Sequence, residues 1–227
     1  MTRYVEKKGY HEVPKTAYKA RHPRDLYSTP RPVIDALLAD SRPPEGFKVL
    51  EPCAGEGAIV RALMDRGYSV TAIEIDQGLA EKLAQTCHTV CHDFLMLSFD
   101  LPLMRQAAIR AAVTNPPFDQ GLEFAEKILG LELEYVALLL PTAFMHSKAR
   151  YDFNRRYPPT GLFPIRDRVK YDLTVKTHPP RDQSWFVWDR REPVMNIKPL
   201  VVNPKPLTQE VTNEASPSMA VRKLSSS

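Results

Sequence analysis

The chain has 227 residues, 43% of them hydrophobic and 26% charged, with a formal net charge of +4. These proportions fit a soluble globular protein with room for one α/β domain plus tails, and the mild positive charge permits a polyanionic partner without demanding one. No apolar run could span a bilayer, the opening from Met1 to Lys8 lacks a signal-peptide core, and three cysteines without framework spacing (Cys53, Cys87, Cys91) read as free thiols, so a cytoplasmic setting without membrane contact is expected.

Residues 1–24 are polar and basic and show no apolar period, which predicts a basic N-terminal arm, either solvated or touching phosphates. The character changes at Asp25-Leu26-Tyr27-Ser28-Thr29-Pro30, where a turn leads into the helically spaced Pro32-Val33-Ile34-Asp35-Ala36-Leu37-Leu38. A domain spanning 25–195 is expected to start there.

Phe47-Lys48-Val49-Leu50-Glu51-Pro52-Cys53-Ala54-Gly55-Glu56-Gly57, followed by Ala58 to Met64, reads as strand, glycine turn and helix. Gly55 and Gly57 allow a tight turn and a close approach of a ligand to the backbone, as at the first crossover of a doubly wound sheet. Ser69 to Asp76 is a second strand ending in acid, and a carboxylate such as Glu74 can accept hydrogen bonds from both hydroxyls of a ribose. The cofactor should therefore carry a nucleoside. A pyrophosphate turn would want a third glycine where this chain has Val60, and an anion would not welcome Glu51 and Glu56. The charge pattern instead fits a cofactor bearing an ammonium and a sulfonium, S-adenosylmethionine (SAM).

Gln77 to Ala84 reads as a helix and Thr89 to Phe94 as a third strand. At its end Asp93 could accept from the cofactor's adenine amino group with Phe94 on the ring face; a helix cap and a core ring are the alternative. Strand alternation puts Cys87 and Cys91 on one face and His88 and His92 on the other, so these four side chains cannot converge and no metal is expected.

Ala111-Ala112-Val113-Thr114 is a short buried strand that stops at Asn115-Pro116-Pro117-Phe118. An amide oxygen and a carbonyl held side by side by this stiff loop can accept both hydrogens of a planar NH₂ group, such as that of adenine, while Phe118 stacks on its ring. An ordinary Asn-Pro turn with a core Phe is the alternative for the tetrapeptide alone. Leu122 to Leu129 reads as a helix and Tyr135 to Pro141 as a fifth, fully apolar strand. Alternating strands and helices of this kind imply a doubly wound, largely parallel Rossmann-like sheet, with ligands at the carboxyl ends of the strands.

Tyr27-Ser28-Thr29-Pro30, Glu51-Pro52-Cys53-Ala54-Gly55-Glu56-Gly57, Glu74-Ile75-Asp76, Asp93-Phe94 and Asn115-Pro116-Pro117-Phe118, in that order, resemble the successive motifs of SAM-dependent N6-adenine DNA methyltransferases whose cofactor motifs precede the catalytic one. The segment with Arg150, Tyr151, Arg166, Val169-Lys170-Tyr171 and Ser184 to Asp189 further resembles small phage and prophage members. The resemblance implies the SAM-methyltransferase fold, with SAM as cofactor and DNA, or else RNA, as partner. It places Tyr27, Thr29 and Pro30 against the methionine part of SAM, with the turn around Glu51, Cys53, Ala54, Gly55 and Gly57 beneath it. Glu74 and Ile75 then hold the ribose side, Asp93 and Phe94 the adenine, and Asn115, Pro116, Pro117 and Phe118 the target base. Methyl transfer to glutamine side chains of proteins and a catalytically silent SAM-binding module are rival readings.

The insert from Thr142 to Arg166 is short and basic, with Lys148, Arg150, Arg155, Arg156 and Arg166. A strand held there would be positioned by its phosphates without being read for sequence. Arg150, Arg166 and Tyr171 are candidate substrate contacts. A C-terminal antiparallel hairpin is expected between Asp167 to Tyr171 and Ser184 to Trp188, with Trp185 and Trp188 buried in it. The Pro- and Ser-rich stretch 196–227 reads as a tail without sustained period.

Overall fold

The computed structural model describes residues 28–166, 169, 182–192, 195–198 and 200. Five strands separated by helices form parallel neighbours in space: β1 (Lys48–Glu51), β2 (Ser69–Glu74), β3 (His88–Cys91), β4 (Ile109–Thr114) and β5 (Tyr135–Pro141). The sheet continues through β7 (Gln183–Asp189), antiparallel to β5, and then β6 (Gly161–Pro164) and β8 (Asn196–Ile197), giving the order β3-β2-β1-β4-β5-β7-β6-β8. The order reverses between β1 and β4, and a crevice outside the carboxyl ends at such a switch point is where ligands bind in open α/β sheets.

Alternation along each strand feeds two cores. Val49, Val70, Ala111, Val113, Ala137, Leu139 and Trp185 face one, under α1 (Arg31–Asp40) and α2 (Ala58–Met64). Leu50, Ile73, Ala112, Val136, Leu138 and Phe186 face the other, with Phe124 and Ile128 of α5 (Gly121–Gly130) and Phe153 of α6 (Lys148–Arg156). Both faces of β1, β2, β4 and β5 are covered, which is why these strands read as apolar runs, whereas β3 at the sheet edge is partly exposed. Leu83 of α3 (Gln77–Leu83) joins the first core and Met104 of α4 (Leu101–Gln106) the second; Asp76 caps α3, its side chain accepting from Leu79 N.

Two sequence expectations change. The hairpin arm opposite β7 is Gly161–Pro164, upstream of the expected Asp167 to Tyr171; of that segment only Val169 is described. The sheet also runs past residue 195, because Asn196–Ile197 pairs with β6 and Leu200, 5% exposed, bridges to Ile165. Trp185 and Trp188 are buried as expected, and their indole N–H groups donate to Val33 O and Tyr157 O at 3.1 and 3.0 Å. The expected basic arm and the rest of the expected tail lie outside the described residues. Among the described residues no helix is long and apolar enough to cross a membrane.

Candidate functional site at the carboxyl edge

Gly55 (φ 53°) and Gly57 (φ 81°) both adopt the left-handed conformation, which glycine reaches without steric cost. A Cβ on Gly57 would fall 2.5 Å from Leu83 Cδ2, so α2 and α3 close around that turn. The turn is tied to the next strand: Gly55 N donates to Glu74 Oε2 at 2.7 Å, and Ala54 N to Ile73 O at 3.0 Å. Glu74 Oε1 accepts from Asp76 N at 2.9 Å, while His92 N donates to the Glu74 carbonyl at 3.0 Å and so draws in the end of β3. A carboxylate offers about four lone-pair positions, so each oxygen of Glu74 keeps one for a ribose hydroxyl. Beside it Ile75 stands 39% exposed, an apolar side chain turned to solvent where a planar ring could lie.

The end of β4 joins the end of β1. Thr114 Oγ1 donates to Glu51 Oε1 at 2.5 Å, and Cys53 N reaches the same oxygen at 3.3 Å. Cys53 Sγ lies 2.9 Å from Thr114 Oγ1 and 3.4 Å from Asn115 O. Burial pushes the Glu51 carboxyl up to about 8, against the opposing pull of the Thr114 and Cys53 hydrogen bonds, with the nearby Glu74 charge adding to the rise. Its second oxygen, Oε2, is buried and has no hydrogen-bond partner among the described residues. An acid so placed suits a cation, and this orphaned oxygen together with the left-handed glycine turn fits the ammonium end of an aminoacyl nucleoside.

Asn115 carries the clearest chemical signature. Its Nδ2 donates to Thr29 Oγ1 at 3.0 Å, and Thr29 is 5% exposed. Its Oδ1 is buried without a partner among the described residues. A lone buried acceptor is costly, on the order of 1–3 kcal/mol, unless a donor arrives. Pro116 is buried and Pro117 and Phe118 are half-buried. Pro30 O accepts from Val33 N at 3.0 Å, so the start of α1 fixes Thr29 in this place.

Glu51, Cys53, Ala54, Gly55, Gly57, Glu74, Ile75, Asn115, Pro116, Thr29 and Pro30 thus come together at one edge of the sheet, linked by the contacts above. Phe94 does not join them as expected. It is 2% exposed, with its ring between Phe99 (5.5 Å) and Phe124 (5.2 Å) and Lys127 Nζ above it, because the 3₁₀ turn Phe94–Met96 swings it into the core. Asp93 Oδ1 caps that turn by accepting from Leu95 N at 2.9 Å. Tyr27 and Tyr171 lie outside the described residues. Arg150 lies over the Phe144 ring at 4.7 Å, and Arg166 is exposed beyond β6, its N–H donating to Leu200 O at 3.0 Å. Sequence reasoning missed the Thr114 to Glu51 bond; a hydroxyl just before the Asn-Pro loop was the available signal. Among the described residues no three His, Cys, Asp or Glu side chains are grouped to hold a metal ion.

No family model matches the chain. It is 32% identical over 108 residues to ribosomal RNA small subunit methyltransferase A of Mycobacterium bovis, a match covering 44% of this chain and 33% of the relative. It is 25% identical over 193 residues to a probable ribosomal RNA small subunit methyltransferase A of Methanospirillum hungatei, covering 77% of this chain and 71% of that one. A solved chain of a type I R-M system superposes with a TM-score of 0.55 at 14% identity, over 80% of this chain and 46% of that chain. The chain spans about a third of the length of the first curated relatives it matches. The glycine turn, the strand order with an antiparallel β7 and these likenesses lead to one conclusion: the fold is that of the SAM-dependent methyltransferases.

Proposed function

We propose that the chain transfers a methyl group from SAM to the exocyclic N6 amine of adenine in DNA. The reading is carried by the Asn115 amide, whose nitrogen is tied to Thr29 and whose buried oxygen has no partner among the described residues. Adenine N6 is a weak nucleophile because its lone pair is delocalised into the ring. Accepting its two N–H hydrogens on Asn115 Oδ1 and the Pro116 carbonyl favours a tetrahedral nitrogen and stabilises the positive charge that grows there. Phe118 would stack on the ring, and in a duplex substrate such stacking would offset part of the few kcal/mol that extruding the base costs. When bound, SAM supplies the electrophilic methyl group.

The chain's own residues bind and orient. In this reading Glu51 and the Gly55 to Gly57 turn hold the aminoacyl end, Glu74 and Ile75 the ribose side, Asp93 the cofactor's adenine, and Thr29 and Pro30 the methionine part, to which Tyr27 is assigned as well. Arg150, Arg166 and Tyr171 would contact the substrate. No cysteine nucleophile is required. RNA is the second reading, favoured by the ribosomal RNA methyltransferase names of the relatives matched in sequence.

The test offers methyl-tritiated SAM with DNA, RNA or protein acceptors to the full chain. Label in DNA that Asn115→Ala abolishes, with SAM binding retained, supports the proposal. Label confined to RNA would move the assignment to the second reading, and label confined to protein, or none in any acceptor, would overturn both.

A further inference from the structure

The helix α6 begins directly after β5 and the 3₁₀ turn Thr142–Met145, and its two faces differ. Phe153 is buried, edge-on to Phe144 at 5.7 Å, and tilted against Tyr157 at 5.5 Å. The same Phe144 borders the start of α5, where a Cβ on Gly121 would lie 3.9 Å from its Cε2 and 3.2 Å from Leu140 Cδ2. Gly121 is three residues past Phe118, so Phe144 joins α6 to the start of the helix that follows the Asn115 loop.

The outward stripe at helical spacing is Lys148, Tyr151, Asp152 and Arg155, with Arg156 adjoining, all exposed. Tyr151 is 58% exposed, and the Arg155 guanidinium lies 5.6 Å from its ring centroid. Ser147 caps the helix, its Oγ accepting from Arg150 N at 3.3 Å. Among the described residues the Tyr151 ring is covered by no apolar side chain, and its one charged neighbour across the ring is Arg155. Cations beside a presented ring form the chemistry that holds an unpaired strand, because base faces are hidden in a duplex and phosphates draw the cations.

We infer that the outer face of α6 is a docking surface for single-stranded DNA, with Tyr151 as the platform on which a base flanking the target stacks and with Lys148, Arg155 and Arg156 on the phosphates. The inference rests on the reading of the site as a DNA methyltransferase and goes beyond it by naming the strand state and the residues.

The experiment measures anisotropy of a labelled oligo(dT) on the full chain without SAM; the probe has no adenine, so the Asn115 clamp plays no part. Wild type should bind it more tightly than a duplex of equal length. Tyr151→Ala should weaken binding about tenfold, while Tyr151→Phe keeps it. Lys148→Gln or Arg155→Gln should each flatten the plot of log K against log salt by about 0.7, whereas Lys82→Gln on α3 leaves it unchanged. Thermal melts of Tyr151→Ala should match wild type, since the side chain is mostly in solvent. Wild-type affinity for oligo(dT) in Tyr151→Ala, equal binding of duplex, or binding of oligo(U) alone would each overturn the inference. Intact oligo(dT) binding without methyl transfer would overturn only the proposed reaction.

Discussion

Replacing Thr29 by Val removes the hydroxyl that accepts from Asn115 Nδ2 at 3.0 Å and keeps the side-chain shape. The amide then loses a neutral hydrogen bond worth about 1 kcal/mol, and its buried nitrogen loses its acceptor, a cost of roughly 1–3 kcal/mol. Either loss is relieved when the amide turns over and presents nitrogen, not oxygen, to the incoming amine. A penalty near 1.4 kcal/mol on the productive orientation lowers kcat about tenfold. The assay is initial-rate kinetics with a DNA acceptor, beside SAM affinity from calorimetry, in Thr29→Val, Thr29→Ser, Asn115→Ala and the double variant. Thr29→Ser should retain most of kcat, and Thr29→Val should cost nothing further once Asn115 is Ala, because contacting pairs are not additive. A loss of SAM affinity that persists in the double variant reports the separate contact with the cofactor. Wild-type kcat in Thr29→Val would refute the reasoning.

Glu51 gives a pH prediction. The folded state keeps its proton up to about 8, whereas the unfolded chain ionises in the ordinary carboxylate range. Between those points the folded state binds more protons, so stability falls as pH rises, by at most about 1.4 kcal/mol per unit. Glu51→Gln should flatten that slope in chemical denaturation; equal slopes in both proteins would contradict the assignment. SAM affinity should rise with pH towards 8, at most about tenfold per unit, because a cationic partner favours the ionised acid, and this dependence should vanish in Glu51→Gln. Gly57→Ala adds the left-handed penalty of about 1–2 kcal/mol to a 2.5 Å contact with Leu83, so it should lower Tm by roughly 5–10 °C, read by calorimetry; an unchanged Tm would mean that the turn is not as described.

Most of the sheet was legible in the sequence because its strands are buried on both faces. Val49-Leu50, Val70 to Ile73, Ala111 to Val113 and Val136 to Leu140 each read as a continuous apolar run, bounded by glycine, proline or acid. Helix α6 and strand β6 escaped for a physical reason. Lys148–Arg156 is charged and its fold depends on two buried rings, Phe144 and Phe153, while Gly161–Pro164 begins with glycine and ends with proline, residues that argue against a strand. Val169-Lys170-Tyr171 carried more local β propensity and drew the expected hairpin arm downstream. Phe94 shows the limit of reading a ring at a strand end: the same residue suits a ligand face or a core, and the turn that follows decides. The placing of Gly55, Glu74, Asp93 and Asn115 at the carboxyl ends of four strands was legible from the alternation of strands and helices. The bond between Thr29 and Asn115 joins positions 86 apart and has no local signal.

The central claim is that a buried amide oxygen on Asn115 receives the amine of adenine. Nucleoside digestion and mass spectrometry of DNA and RNA from cells expressing the chain or its Asn115→Ala variant test it most directly. The account predicts N6-methyladenine in DNA with the wild-type chain and none above background with the variant. Equal N6-methyladenine with both, or no methylated adenine in either polymer, would contradict it.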